Sequence, residues 1–430
     1  MKTVMKTFVT ALAFGLVVAT APVAAQDLGL DLPSKETVEA QKKARKNQVA
    51  SQRVGRAIMD AFELYEQEQL QAAITMLEEE LPDTEGYDRA YLSRFLGTLY
   101  AQAERTDEAL PMLKNAADED VLGWSDQAAV LKLVGQLSLQ EEKFEQSVTY
   151  LQKWFEFTGE MDPQSLFYVA NAYYQQKEFA KIVPYAEAAL KYADEPKKDY
   201  YTLLMASYFE RKMYDKAIST VEEGLNVLPE TISWWPQLAQ MYMLKENLAK
   251  ALQTMEIAYL AGYLKEENQF KLLVQLYDNE GVPYKAATTM IKHIQSGDIE
   301  GTAKNYSTAA NSFHRAKELA QAAKWYGKAA ELADDGDNKG EYLRKQGNLL
   351  VQNEQYVAAT TPLKNALDYA QGDDKGRIYM SLAEAFFYGG DYRQALTYVN
   401  EAAKFSNQRR SARSWKGYIQ STAKRKGVDL

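Results

Sequence analysis

The stretch Lys198–Glu230, KDYYTLLMASYFERKMYDKAISTVEEGLNVLPE, decides the fold. Its first half carries apolar residues at Tyr201, Leu204, Met205 and Tyr208, the spacing of a helix with one buried face. A polar break at Glu210–Lys212 follows. A second helix is predicted from about Tyr214, with Ala217, Ile218, Val221 and Leu225 on one side. It stops before Pro229, which has no N–H to continue the ladder. Small Ala217 lets the two helices approach closely, and Tyr208 and Tyr214 fill the space around it.

Working outward, the same unit recurs. Alignment on the small residue that opens each second helix gives Ala73, Ala109, Ser147, Ile182, Ala217, Ala251, Ala287 (or Ala286), Ala322, Ala359 and Ala395. The steps are 36, 38, 35, 35, 34, 36, 35, 37 and 36 residues. Three positions earlier stand Leu70, Phe144, Phe179, Tyr214, Leu248, Tyr284, Leu319, Tyr356 and Tyr392, and only Thr106 breaks the series. A small residue also recurs on the first helix, as Ala61, Gly97, Gly135, Ala170, Ala239, Ala310, Gly347 and Ala383, with Met205 the exception. Longer turns are expected at Pro82–Asp88, Asp118–Ser125, Phe157–Pro163 and Ala333–Gly340, where Gly, Pro and Asp gather.

A large residue, an aromatic, then aromatic-x-x-Ala and a closing Pro resembles the tetratricopeptide repeat. The resemblance covers about 54–406 and implies an all-α, right-handed superhelical solenoid of about ten helix pairs. A lone pair cannot bury its apolar stripe, so the core is expected as a seam between stacked neighbours. The last pair needs a cover. Residues 407–430 supply one, since RSARSWKGYIQSTAKR (Arg410–Arg425) places Trp415 and Ile419 four apart on a helix whose Lys and Arg residues face water.

The N-terminus reads as an export signal over residues 1–25. Lys2 and Lys6 precede an apolar run from Phe8 to Ala21, and Val23-Ala24-Ala25 offers small residues for cleavage. The run is short for a membrane span, and no Cys follows it for a lipid anchor. The expected location is the periplasm of a Gram-negative cell, with no integral membrane span in the mature form. Residues 26–53 form a basic arm in which Lys42, Lys43, Arg45 and Lys46 are expected on a solvated helical face.

The formal charge is −9, and loss of Lys2 and Lys6 makes it more negative by two, which argues against nucleic-acid binding. With no Cys and only two His, thiolate and His-based metal centres are not expected. There is no Gly-rich phosphate loop, no H-E-x-x-H and no G-x-S-x-G, so neither a cofactor nor an enzymatic activity is expected. Glu78, Glu79 and Glu80 read as solvated, most Tyr residues as packing, and His293 and His314 as structural.

What remains is binding by surface. The family resemblance implies that first helices line a groove. The residues it would place there include Arg94, Lys132, Gln136, Phe167, Asn171, Tyr174, Phe209, Gln240 and Met243. Further along it implies Lys304, Asn311, His314, Arg344, Asn348, Arg377 and Phe387. Asn311 and Asn348 hold the same position in adjacent repeats, with Lys304, Arg344 and Arg377 around them. That set is similar to a carboxylate clamp for a peptide C-terminus, although Ser307 stands where the clamp wants a cation. The signal segment, the start Asp27-Leu-Gly-Leu-Asp-Leu32, the basic arm and the all-repeat body resemble secreted tetratricopeptide proteins associated with TonB–ExbB–ExbD systems. The resemblance implies a periplasmic scaffold for a protein or peptide partner, such as a TonB, ExbB or ExbD component, in TonB-dependent iron or siderophore transport. The alternative is a scaffold for outer-membrane biogenesis, polysaccharide export or peptidoglycan machinery.

Overall fold

The structure is a computed structural model that describes residues 28–45, 48–334 and 338–430. The expected signal segment and Lys46 of the basic cluster lie outside the described residues. After an N-terminal helix, α1 (Lys35–Ala44), come helix pairs. In the first of two compact units, ending at Pro229, these are α2 (Gln52–Glu66) and α3 (Leu70–Glu80), α4 (Gly86–Gln102) and α5 (Thr106–Asp118), and α6 (Trp124–Gln140) and α7 (Phe144–Thr158). Two more pairs complete it: α8 (Pro163–Gln175) with α9 (Phe179–Tyr192), and α10 (Lys198–Glu210) with α11 (Tyr214–Val227).

The second unit, from Glu230, holds α12 (Trp234–Leu244) and α13 (Leu248–Leu260), α14 (Glu267–Asn279) and α15 (Pro283–Ser296), and α16 (Ala303–Arg315) and α17 (Leu319–Leu332). It closes with α18 (Lys339–Gln352) and α19 (Tyr356–Ala366), α20 (Asp373–Tyr388) and α21 (Tyr392–Ala402), and a single end helix, α22 (Arg409–Arg425). Among the described residues no strand occurs, and the fold is all-α, of the tetratricopeptide type.

Close approach within each pair is the organising constraint. Every aligned second-helix residue, from Ala73 to Ala395, is fully buried. At Gly135 an added Cβ would stand 2.6 Å from Leu151 Cγ, and at Gly97 2.7 Å from Leu113 Cγ, so only glycine fits there. The turn inside each pair is equally uniform. One residue per turn has positive φ: Glu68, Glu104, Glu142, Lys177, Lys212, Glu246, Lys317 and Glu354, with Gly281 and Gly390 in the remaining two. That left-handed residue reverses the chain in three or four residues, and eight turns do it without glycine. The longer turns expected near residues 82–88, 118–125 and 157–163 are not found: five, five and four residues separate those pairs, against six between α11 and α12, because α4 begins at Gly86 and α6 at Trp124 and the extra residues lengthen these two helices to 17 residues each.

Neighbouring pairs are tied by tyrosine hydroxyls. Tyr277 donates to Glu256 on the preceding second helix (2.9 Å), Tyr208 to Glu187 (3.1 Å), and Tyr100 makes the equivalent bond to Glu78. A cation covers each ring, with Lys285, Lys216 and Arg105 at 4.9, 5.3 and 4.6 Å from the centroids. Burial first, then the carboxylate bond, pushes the Tyr100 phenol up to about 12; burial and Glu187 do the same for Tyr208. The expectation that Glu78, Glu79 and Glu80 are merely solvated holds for exposed Glu79 and is corrected for the other two. Glu78 takes the Tyr100 hydroxyl, and Glu80 stands 3.3 Å from Arg53.

The end helix covers the last pair. Ile419 is fully buried against Val399 and Ala402, and Trp415 packs edge-on to Phe387 at 5.6 Å. Its cations face water.

Candidate functional site

Each first helix turns one stripe to its own second helix and leaves another outward. Except for Phe387, the residues expected to bind a partner reach the surface of these helices, but several are already engaged within the chain. Arg94 of α4 stands 3.4 Å from Asp126 at the start of α6, and its guanidinium lies 4.5 Å from the Phe95 ring centroid. Lys132 of α6 donates to Asp162 at 2.9 Å and lies 4.7 Å from the Trp154 centroid. Asp162 also caps α8, accepting from Ser165 N–H at 2.9 Å. Burial alone would raise the Asp162 carboxyl, but the hydrogen bonds from Ser165 and Lys132 outweigh it and hold the group below the usual carboxylate range. These two cations are struts from one first helix to the next.

In α8, Asn171 accepts from Gln175 at 3.5 Å, and Tyr174 stands edge-on to Phe179 at 6.0 Å. Phe167 leans on Tyr200 at 5.3 Å. Gln240 and Phe209 are exposed, Gln136 and Met243 half-buried. In the second unit Lys304 and Asn311 are exposed on α16, while Arg344 and Asn348 are half-buried on α18. Arg344 shares with Glu341, Asp368 and Asp374 the wall of a cleft of about 520 Å³. Arg377 donates to that same Asp374 at 3.1 Å. Of the clamp residues, Arg377 thus already pairs with a carboxylate of the chain itself, and Arg344 lines the same cleft. Phe387 is corrected outright: it is buried beneath Trp415 and Tyr418 of the end helix and does not face outward.

The sequence reading missed two residues in the first pair. Phe62 and Tyr65 of α2 are 55% and 37% exposed, with ring centroids 6.4 Å apart. They stand one and four residues after Ala61, as Asn171 and Tyr174 do after Ala170, so the repeat register was sufficient to find them. It also missed Glu384, one residue after Ala383, whose carboxyl is raised by burial.

Of the two histidines, His293 is buried, stacked on Phe270 at 4.0 Å, and bonded through Nδ1 to Asp298 (2.8 Å) and through Nε2 to the Tyr259 hydroxyl (3.0 Å). Among the described residues no group of three or more His, Asp or Glu is placed to hold a metal ion. No helix among them is long and apolar enough to cross a membrane.

No protein-family model matches the chain, and no curated protein matches it. Solved structures do. A tetratricopeptide repeat protein from Parabacteroides merdae ATCC 43184 is similar over 69% of this chain and 99% of its own, at 14% identity and a TM-score of 0.36. The Naa15/Naa10 complex bound to HypK-THB is similar over 87% of this chain and 61% of that one, at 13% identity and a TM-score of 0.46. The TPR domain of P58(IPK) matches over 87% and 99%, at 14% identity and a TM-score of 0.25. None of these likenesses brings a function to the chain.

Proposed function

We propose that the chain is a non-enzymatic scaffold that binds a peptide or protein segment on the outward stripe of its first helices. The observation that carries this is apolar surface left uncovered on first helices, at the same repeat position in Tyr65 and Phe209 and beside it in Phe62. Phe62 and Tyr65 on α2 and Phe209 on α10 are each more than a third exposed; Phe62 and Tyr65 touch one another and Phe209 meets Tyr214 edge-on at 5.7 Å, and the rest of each ring faces water. Aromatics exposed on the first helices of a repeat array offer apolar surface that a partner segment can cover. A photo-crosslinking residue placed at Phe62, Phe209 or Asn311 in intact cells tests this. One discrete protein captured from all three sites, and not from exposed Gln253 on the second helix α13, is expected; the same adducts at Gln253 refute the reading.

We further propose a periplasmic setting, as an accessory component of a TonB-dependent iron or siderophore transport system. Support comes from the charged-then-apolar N-terminus, the Asp27–Leu32 start, the basic arm and the all-repeat body, which together resemble secreted proteins of that kind. TonB or ExbD in the captured material is the expected result. Outer-membrane assembly, polysaccharide-export or peptidoglycan subunits in their place would move the chain to those systems.

A further inference from the structure

The N-terminal arm is not a solvated appendage. It crosses three helix pairs on the side opposite to the one just discussed, touching second helices and the loops that follow them. Leu28 and Leu30 are only 4% and 5% exposed. The Leu28 carbonyl accepts from the Tyr185 hydroxyl of α9 at 2.9 Å, and Asp31 N–H reaches Glu156 of α7 at 3.4 Å. Pro33 and Val38 close over Gly159, where an added Cβ would lie 3.1 Å from Val38 Cγ2. At the far end Arg45, expected to face water, is inserted. Its Nε donates to the Leu122 carbonyl at 2.6 Å, its Nη2 to the Asp120 carbonyl and carboxylate at 3.0 and 2.8 Å, and its guanidinium lies 5.0 Å from the Phe157 centroid.

Between these anchors α1 buries no residue. The arm is therefore held at two ends by recognisable contacts, a leucine pair and one arginine, with a helix in the middle that contributes little packing. Nor does it fill its seat. Beside Arg45 a cavity of about 670 Å³ remains, walled by Trp124, Gln127 and Phe157. Gln127 is 1% exposed; its Nε2 donates to the Ala117 carbonyl at 2.7 Å, while its Oε1 is buried with no partner in the chain. The seat thus offers an acceptor that the arm leaves unused.

We propose that this second-helix face of the first unit is a peptide-binding site occupied here by the chain's own Leu28–Arg45, and that its ligand in trans is a partner segment of the same chemistry. That chemistry is a Leu-x-Leu pair followed by a short polar helix ending in arginine. The inference does not depend on binding at the first-helix stripe, because no residue of that stripe takes part.

The test uses the full chain with a protease recognition sequence inserted between Arg45 and Ser51, folded intact and then cut, so that only non-covalent contacts hold the arm. The probe is a fluorescent peptide of residues 26–45, QDLGLDLPSKETVEAQKKAR. Saturable uptake by the cut chain is expected, competed by unlabelled peptide and at least tenfold stronger than uptake by the uncut chain. Peptides carrying Leu28→Asp with Leu30→Asp, or Arg45→Ala, should bind at least tenfold more weakly. Three results would each overturn the proposal: no saturable uptake by a cut chain that keeps its helical circular dichroism, uptake insensitive to those substitutions, or loss of helical signal on cutting. The last would make the arm a part of the core.

Discussion

Replacing Gly135 with alanine tests the claim that the pairs are organised by backbone approach. Inside a helix, alanine is ordinarily favoured over glycine by about 0.5–1 kcal/mol, because glycine loses more freedom on folding. At Gly135 the new Cβ would stand 2.6 Å from Leu151 Cγ, 2.8 Å from its Cδ2 and 3.2 Å from its backbone nitrogen. Carbon atoms rest at about 3.5–4.0 Å, so α6 and α7 must part by roughly 1 Å or Leu151 must leave its rotamer. Overpacking of that kind costs about 1–3 kcal/mol and outweighs the helix-propensity gain, leaving a net loss of about 1–2 kcal/mol. Gly55 supplies the control. It lies inside α2 with nothing within 4 Å of an added Cβ, so Gly55→Ala should stabilise by about 0.5–1 kcal/mol. Arrays of repeats need not unfold in one step, so the assay is native-state hydrogen exchange resolved by peptide. Amides of α6 and α7 should exchange about fivefold to thirtyfold faster in Gly135→Ala, and those of α2 more slowly in Gly55→Ala. If Gly135→Ala protects α6 and α7 as Gly55→Ala protects α2, the helices are not in the contact described and the reasoning fails.

The left-handed turn residues give a second pair of opposite signs. Lys212→Gly relieves a φ of 58° and should stabilise by a few tenths to about 1 kcal/mol, while Gly281→Ala, at 75°, should destabilise by about 1 kcal/mol in urea unfolding. Ile419→Ala empties a fully buried site on the last pair, so α20–α22 should fray by about 2–5 kcal/mol in hydrogen exchange while the first unit is untouched. Asp118 gives a pH dependence. Burial would raise its carboxyl, but bonds from Lys114, Tyr150 and Lys153 hold it below its ordinary value. A folded-state value below the unfolded one contributes stability above about pH 4 that is lost as pH falls through the folded value. Acid titration of Asp118→Asn should therefore be flatter below about pH 4 than that of the parent, and an unchanged slope would show the carboxylate to be unpaired in solution.

The repeat was legible because burial imposes it. A second-helix residue facing the first helix at close range is small in nine of the ten repeats, Ile182 being the exception, and that preference returns every 34 to 38 residues. The end helix was legible for the same reason, since an uncovered pair needs Ile419 and Trp415 at helical spacing. The tyrosine struts were half legible. A buried phenol needs a partner, and Glu187 and Glu256 lie 21 residues before Tyr208 and Tyr277. The arm was not legible. Leu28 meets Tyr185 across 157 positions, and no periodicity links them.

The outward residues pose the opposite problem, because packing does not choose them. Repeat register alone treats Arg94, Lys132 and Arg377 as equivalent to Lys304 and Asn311. The structure separates them energetically. A cation that already holds Asp126, Asp162 or Asp374 can grip a ligand carboxylate only by releasing its own, so much of the Coulomb gain is offset. Exposed Phe62, Tyr65 and Phe209 carry no such debt, since covering them removes apolar area from water with nothing to break first. Binding energy on the first-helix stripe should therefore concentrate in the aromatics. Alanine at Phe62 or Phe209 should weaken a bound segment by about 1–3 kcal/mol, as anchor residues do. Arg344→Ala with Asn348→Ala should cost less than either, because Arg344 already lines the cleft that holds Asp374. Affinity measured against the captured partner decides between the two, and a larger loss from the Arg344 and Asn348 pair would restore the carboxylate clamp.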